Sequence, residues 1–281
     1  MQIEVAKQRI LLLKDQLSPQ EAKDKAWQKK LTAFDALSKV TSFLSKPRDE
    51  DFSLTYSEHR YEPFWHVVAT ARYEYTRTTN YQISVGGKEV KTVTVHETKY
   101  DALNNHIHVP VQEYCLQEER DENIIDGITG KNAPHLQQYI SMRPAEVTGE
   151  LSDEVDANAI LIPPQARISA IMRDSLSKMI TGIQADTIIA EQVEVSRIDL
   201  YYRPVHAFRY AWASKQKEAI LEVDGLTGEC RAGNRVFTEY FGKVLDQTFL
   251  FDVGADAVGM FVPGGGIAVK AAKRYMDTRN K

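Results

Sequence analysis

The stretch "ENIIDGITGKN" at 122–132 returns, little altered, as "AILEVDGLTGECR" at 219–231. The turn Asp-Gly-x-Thr-Gly is thus written twice in one chain, and its local logic is mechanical. Asp126 and Asp224 can accept the amides ahead of them, the first glycine supplies positive φ, and Thr with the second glycine completes the reversal. A metal or catalytic role for these aspartates would need further convergent acids, and none stands at a suggestive spacing. Working outward, Tyr61-Glu62-Pro63-Phe64 in the first half answers Tyr202-Arg203-Pro204-Val205 in the second. Each landmark is followed by an aromatic-rich strand and then by a strand ending in the repeated turn. Two matched landmarks in one order, each preceded by an amphipathic helix, predict an internal duplication, with the first copy enlarged by a hairpin at 78–112.

The flanking segments are read by periodicity. Apolar Ile3, Ala6, Ile10, Leu13 and Leu17 predict a helix over 3–17. "SPQE" at 18–21 has the form of a capping box with Pro19 at the first helical position, opening a second helix along Trp27, Leu31, Phe34, Leu37, Val40 and Leu44. From 51 to 131 the pattern turns to β, with Gly86-Gly87 as a hairpin turn and Pro110 favouring an edge strand. Residues 132–163 read as a polar connector. Pro163-Pro164 opens a helix to about Gln192, buried through Ile168, Met172, Leu176, Met179 and Ile183, and three strands follow.

A helix followed by three antiparallel strands closing on "EVDGLTGEC" resembles the PepSY-like module, whose last strand ends in a Val-Asp-x-x-Thr-Gly-Glu pattern. Val223, Asp224, Thr227, Gly228 and Glu229 fit it; the first copy has Ile125, Asp126, Thr129, Gly130 and then Lys131. The resemblance implies that fold twice over and a bias toward binding proteins or enzyme inhibitors rather than turnover. The expected class is therefore α+β, built of two repeated helix-plus-antiparallel-meander units with an N-terminal helical hairpin. The parts are the hairpin at 1–46, the first unit at 47–131, the connector at 132–163, the second unit at 164–242 and a Gly-rich apolar tail with a basic helix at 243–281.

Composition narrows the function classes. The 281 residues carry 35 basic and 39 acidic side chains, so a net charge of −4 supplies no general attraction for nucleic acid, and none is expected as a partner. Two cysteines, Cys115 and Cys230, are too few for a disulfide scaffold, and neither has a Cys-x-x-Cys partner. The start does not read as a signal peptide, and residence in the bacterial cytoplasm is the expectation. No nucleophile elbow, zinc-protease helix, P-loop or dinucleotide fingerprint occurs. No catalytic residue and no cofactor are expected, and an enzyme is the less favoured class.

Three features could still carry function. His96, His106 and His108, on a predicted hairpin, could bind zinc as part of a metal-dependent hydrolase. Aromatic strands, with Tyr61, Trp65, Tyr202, His206 and Trp212, could form a binding face, although their period-two spacing equally fits a sheet packed under its helices. The tail "FLFDVGADAVGMFVPGGGIAVK" admits three readings: a core-closing segment, a surface covered by a partner or membrane, or an anion site at Gly264, Gly265, Gly266 and Lys270. The favoured function is a non-enzymatic binding or assembly protein using the aromatic faces and the tail, with another protein or a second copy as partner. A peripheral membrane role for the tail is the alternative.

Overall fold

The computed structural model describes residues 2–34, 47–180, 182–240 and 268–271. Two long strands form its centre: β3 (Phe52–Ser84) and β9 (Thr187–Trp212), paired antiparallel from Phe52↔Trp212 to Thr76↔Thr187. Their outer edges carry the rest of a ten-stranded mixed sheet. On β9 lie β1 (Gln2–Val5) and β2 (Gln8–Leu12), both parallel to it, then β10 (Lys217–Asp224), antiparallel, with β11 (Cys230–Gly233) beyond. On β3 lie β8 (Ile160–Leu161), parallel, and β6 (His106–Asp126), antiparallel. The short β7 (Ala145–Val147) pairs with β2, and β12 (Ala268–Ala271) with β1. A separate small hairpin, β4 (Thr92–Val95) and β5 (Thr98–Asp101), lies between β3 and β6 in sequence.

This corrects the expected architecture of two helix-plus-meander units with an N-terminal helical hairpin. Residues 3–17 hold two strands, not a helix. Ile10 and Leu12 face one core layer while Leu11 and Leu13 face the other, so the apolar run is buried on both sides. Such a run fits a doubly covered strand as well as a helix, and the open edge of β9 decides for the strand. Arg9 secures it with two 2.8 Å hydrogen bonds to the buried Asp199 directly opposite. The following helix α1 (Pro19–Lys29) begins on the predicted capping box: Glu21 N donates to Ser18 Oγ and Ser18 N to Glu21 Oε2 at 2.8 Å. The predicted continuation over Leu37, Val40 and Leu44 lies outside the described residues.

The helices also do not sit where the expected units put them. α1 packs over β9, β10 and β11, burying Ala22 and Ala26 against Phe208, Tyr210, Trp212, Leu221 and Val223. The later helix α3 (Ile168–Met179) packs over β3 and β6, with Ile168, Met172, Leu176 and Met179 against Trp65, Val67, Ala69 and Tyr73. Each helix thus covers the long strand of the other half of the chain. The presumed connector at 132–163 is built into the body as a one-turn helix α2 (Gln137–Ile140), β7 and β8.

Neither long strand breaks at its proline, although proline weakens a central strand. The N–H and C=O of one strand residue point to the same edge, and Pro63 and Pro204 present their carbonyls outward. There Gly127 N donates to Pro63 O at 2.9 Å and Gly225 N to Pro204 O at 3.0 Å. On β3, the outer neighbour changes from β8 at Tyr61 to β6 at Phe64; on β9 it changes from β2 at Tyr202 to β10 at Val205. The missing amide therefore falls at a junction where no ladder bond is due. The glycine pair Gly86-Gly87 is likewise not the turn of a tight hairpin, because β3 continues to Ser84 and pairs there with His106.

Candidate functional site

The repeated turn is a clasp. Each accepts, on its first glycine carbonyl, the amide of a segment leading to a helix: Gln16 N donates to Gly225 O at 2.9 Å, and Gln165 N to Gly127 O at 2.7 Å. Positive φ belongs to the second glycine, Gly130 at 69° and Gly228 at 72°, not to the first as the sequence predicts. The first glycine is needed for space. A Cβ on Gly127 would lie 2.6 Å from Pro63 O, and one on Gly225 would lie 2.7 Å from Asp15 Oδ1. The aspartates cap their own turns, Asp126 Oδ1 accepting from the Ile128 and Thr129 amides and Asp224 Oδ1 from those of Leu226 and Thr227.

Between the clasps, one face of the β3–β9 ladder carries a buried charge network. Glu58, Arg60 and Glu62 alternate along β3 and so share this face. Arg60 donates to Glu58, Glu62 and Glu222, and Arg203 donates to Glu62 and to Asp224 Oδ2. Tyr139 OH donates to the same Asp224 oxygen, and Arg231 Nε reaches Glu222 at 2.8 Å. Burial pushes the Glu62 carboxyl up, but Arg203, Arg60 and Arg231 outweigh it and hold it at about 2. The network borders a cleft of about 520 Å³. Four carboxylates meet three guanidiniums there and bond one another, so the arrangement has the character of a structural lock rather than a ligand site.

The opposite face holds a second constellation. His59 on β3 and His206 on β9 are directly cross-strand, with rings stacked at 4.4 Å and 8°. Asp15, in the loop between β2 and α1, places Oδ2 at 2.7 Å from His206 Nε2 and 3.0 Å from His59 Nε2. Burial raises the Asp15 carboxyl, but the His206 and His59 contacts overcome this and leave it well below the ordinary carboxylate range. Leu17 N donates to Asp15 Oδ1 at 3.1 Å, which turns the other oxygen toward the rings. Tyr61 lies beside them, its ring 5.1 Å from that of His59 and its hydroxyl pushed up to about 12, first by burial and then by Asp15. A cleft of about 460 Å³, lined in part by Lys23, Tyr56, Asn158 and Phe208, opens onto the two histidines.

Of the aromatic face expected from sequence, Tyr61, Trp65, Tyr202 and Trp212 are all buried beneath α1 and α3, and this is a correction: they are core. Of that set, His206 belongs to the polar constellation, and the buried Tyr61 borders it. His96 sits in the β4–β5 turn with φ 49°, while His106 and His108 lie on β6, and these three are not among the described residues that could share an ion. Lys270 is in β12, opposite Glu4 of β1, rather than on a helix; Gly264, Gly265 and Gly266 lie outside the described residues. Cys115 and Cys230 are half-buried free thiols. Among the described residues no helix is long and apolar enough to cross a membrane.

Sequence reasoning missed both constellations. Charges at every second position in "SEHRYEPF" were a legible signal of one charged strand face. Nothing local joins Asp15 to His206, which are 191 residues apart. Compared with protein-family models, curated proteins and solved structures, the chain matches none.

Proposed function

We propose that the chain is a non-catalytic binding or assembly protein whose contact surface is the ribbon formed by the outer parts of β3 and β6. The observation that carries this is where large apolar side chains are exposed. Among the described residues they are Tyr81 and Ile83 on β3, Leu103, Val111, Tyr114 and Leu116 on or beside β6, and Ile188 and Ile189 at the start of β9. All belong to one end of the sheet, since Tyr75 pairs with both Ile188 and Cys115. Past Thr76, β3 has only β6 as neighbour among the described residues, and residues 77–84 and 106–113 continue as two strands. A two-stranded ribbon is marginal in water by itself, and a concentrated apolar patch marks a contact surface.

Among the described residues no strand pairs with the outer edge of β6 before its Ile124–Asp126 end, a place where another strand can add. Its sequence from His106 to Asp126 has six acidic residues and one arginine. Like charges facing one another disfavour pairing two copies edge to edge along that length. The ribbon's apolar face, with Tyr81, Ile83 and Val111, is the better surface for a second copy or for another protein. The double variant Ile83→Lys, Val111→Lys tests this by sedimentation over a wide concentration range and by affinity purification beside the wild type. Loss of self-association or of a co-purifying protein at unchanged melting temperature is expected. Full retention of both in the variant would sink the proposal.

A further inference from the structure

We propose that Asp15, His59 and His206 form a binding site for one divalent transition-metal ion of the zinc class. The ligand atoms are Asp15 Oδ2, His59 Nε2 and His206 Nε2, all within 4.8 Å of one another. Imidazole and carboxylate are the donors such an ion takes, and three protein ligands with a fourth position open are the pattern of an exchangeable rather than a closed site. His59 and His206 both line the cleft of about 460 Å³, which gives an exchangeable fourth ligand a route to the site.

Three observations favour an ion over a purely hydrogen-bonded cluster. Both nitrogens converge on a single carboxylate oxygen from rings stacked at 4.4 Å, so two N–H donors compete for one acceptor. His206 makes the aligned contact, while His59 Nε2, at 3.0 Å, is off the line of a good hydrogen bond and is buried without a well-directed partner. An ion would let all three present lone pairs. The present separations of 2.7 and 3.0 Å lie slightly inside the roughly 3.3 Å between ligand atoms in a tetrahedral shell with bonds of about 2.0–2.1 Å. To seat the ion the shell opens by a few tenths of an ångström on the Asp15 side, and the two rings, 8° from parallel, tilt until both ring planes meet at it.

The supports are those of a positioned site. His59 and His206 are opposite one another on a single rung of the central β3–β9 ladder, so both are placed by regular strand pairing rather than by a loop. Asp15 is held from behind: Leu17 N binds its other oxygen, and the neighbouring Gln16 amide is clasped by Gly225. Such outer contacts orient a ligand and tune its affinity. The matching clasp, at Gly127, holds Gln165, and the residue before it is Pro164, which has no ligand atom. Among the described residues, this ligand set therefore stands beside the Gly225 clasp and not beside the Gly127 one.

The test is a titration of zinc alone into the chelator-treated full chain, followed by calorimetry, with cobalt(II) absorption as a second readout of coordination geometry. One ion per chain is expected, with the visible bands of a four-coordinate cobalt site. His59→Gln, Asp15→Asn and His206→Gln should each weaken binding by about a hundredfold or more, beyond the loss seen for outer-shell changes. His59→Gln carries the test if His206→Gln fails to fold, because His59 is the less buried ring. His106→Ala, His108→Ala should bind as the wild type does. No uptake by the wild type, or uptake lost in the His106, His108 variant but kept in Asp15→Asn and His59→Gln, would overturn the proposal.

Discussion

The two Asp-Gly-x-Thr-Gly turns are nearly the same object locally and differ in what the tertiary structure asks of them. Both cap themselves with the aspartate, both donate a glycine amide to a proline carbonyl, and both clasp the approach to a helix. At Asp126 the carboxylate serves its own turn through Oδ1, with the Thr129 hydroxyl as a third donor. At Asp224 the second oxygen is drawn into the buried network through Arg203 and Tyr139, and the clasped loop delivers Asp15 to the histidines. A motif read from sequence thus defines a turn and leaves open the burden it carries.

The largest expected effect comes from severing that extra burden. Arg203→Met removes the counter-charge of Glu62 and Asp224 while both stay buried, which should cost about 3–5 kcal/mol. Chemical denaturation would show it as a lower midpoint, and a change under about 1 kcal/mol would mean the network is not dry.

Acid is the next probe. The folded pKa of Glu62, about 2, lies below its ordinary 4.5, so its contribution is complete above 4.5 and is lost as the pH falls toward 2. A shift of that size corresponds to roughly 3 kcal/mol. Melting temperature should fall steeply in that window, and Glu62→Gln, less stable at neutral pH, should show a flatter acid limb. Parallel curves for the two proteins would place the acid sensitivity elsewhere.

Exchanging the turn aspartates compares the two regions directly. Asp224→Ala loses charged hydrogen bonds to Arg203 and Tyr139 as well as the turn amides and should cost about 2–4 kcal/mol, whereas Asp126→Ala loses mainly the cap, about 1 kcal/mol. Equal losses would show that the burial of Asp224 adds nothing.

The smallest effect separates the two first glycines. Gly127→Ala and Gly225→Ala should each cost about 1–3 kcal/mol from overpacking. Only at Gly225 does the intruding methyl meet Asp15, so only there should zinc affinity fall with stability. Unaltered zinc binding in Gly225→Ala would detach the clasp from the site.

Much of the local structure was open to a reader of the sequence. The capping box at Ser18, the two aspartate turns and the buried face of α3 as far as Met179 depend on near neighbours, whereas the expected run of that helix through Ile183 to Gln192 is overturned by β9, which begins at Thr187. The expected helix over 3–17 failed because Ile10 to Leu13 is apolar on every side, a pattern that periodicity cannot assign. The aromatic strands were correctly recognised as strands, but which of their faces meets water depends on where the helices land. Here each helix lands on the other half of the chain.

By itself, then, the sequence determined strand and turn chemistry: the alternation of Glu58, Arg60 and Glu62, the matched Tyr-x-Pro landmarks and the Asp-Gly-x-Thr-Gly turns. Tertiary structure decided their meeting. Antiparallel pairing of the two landmarks sets Glu62 against Arg203 and His59 against His206. The crossing of the N-terminal strand onto β9 then carries Asp15 to the same place. Charges and ligand atoms far apart along the chain acquire energy only at a few ångströms and out of water, and no local pattern records that distance.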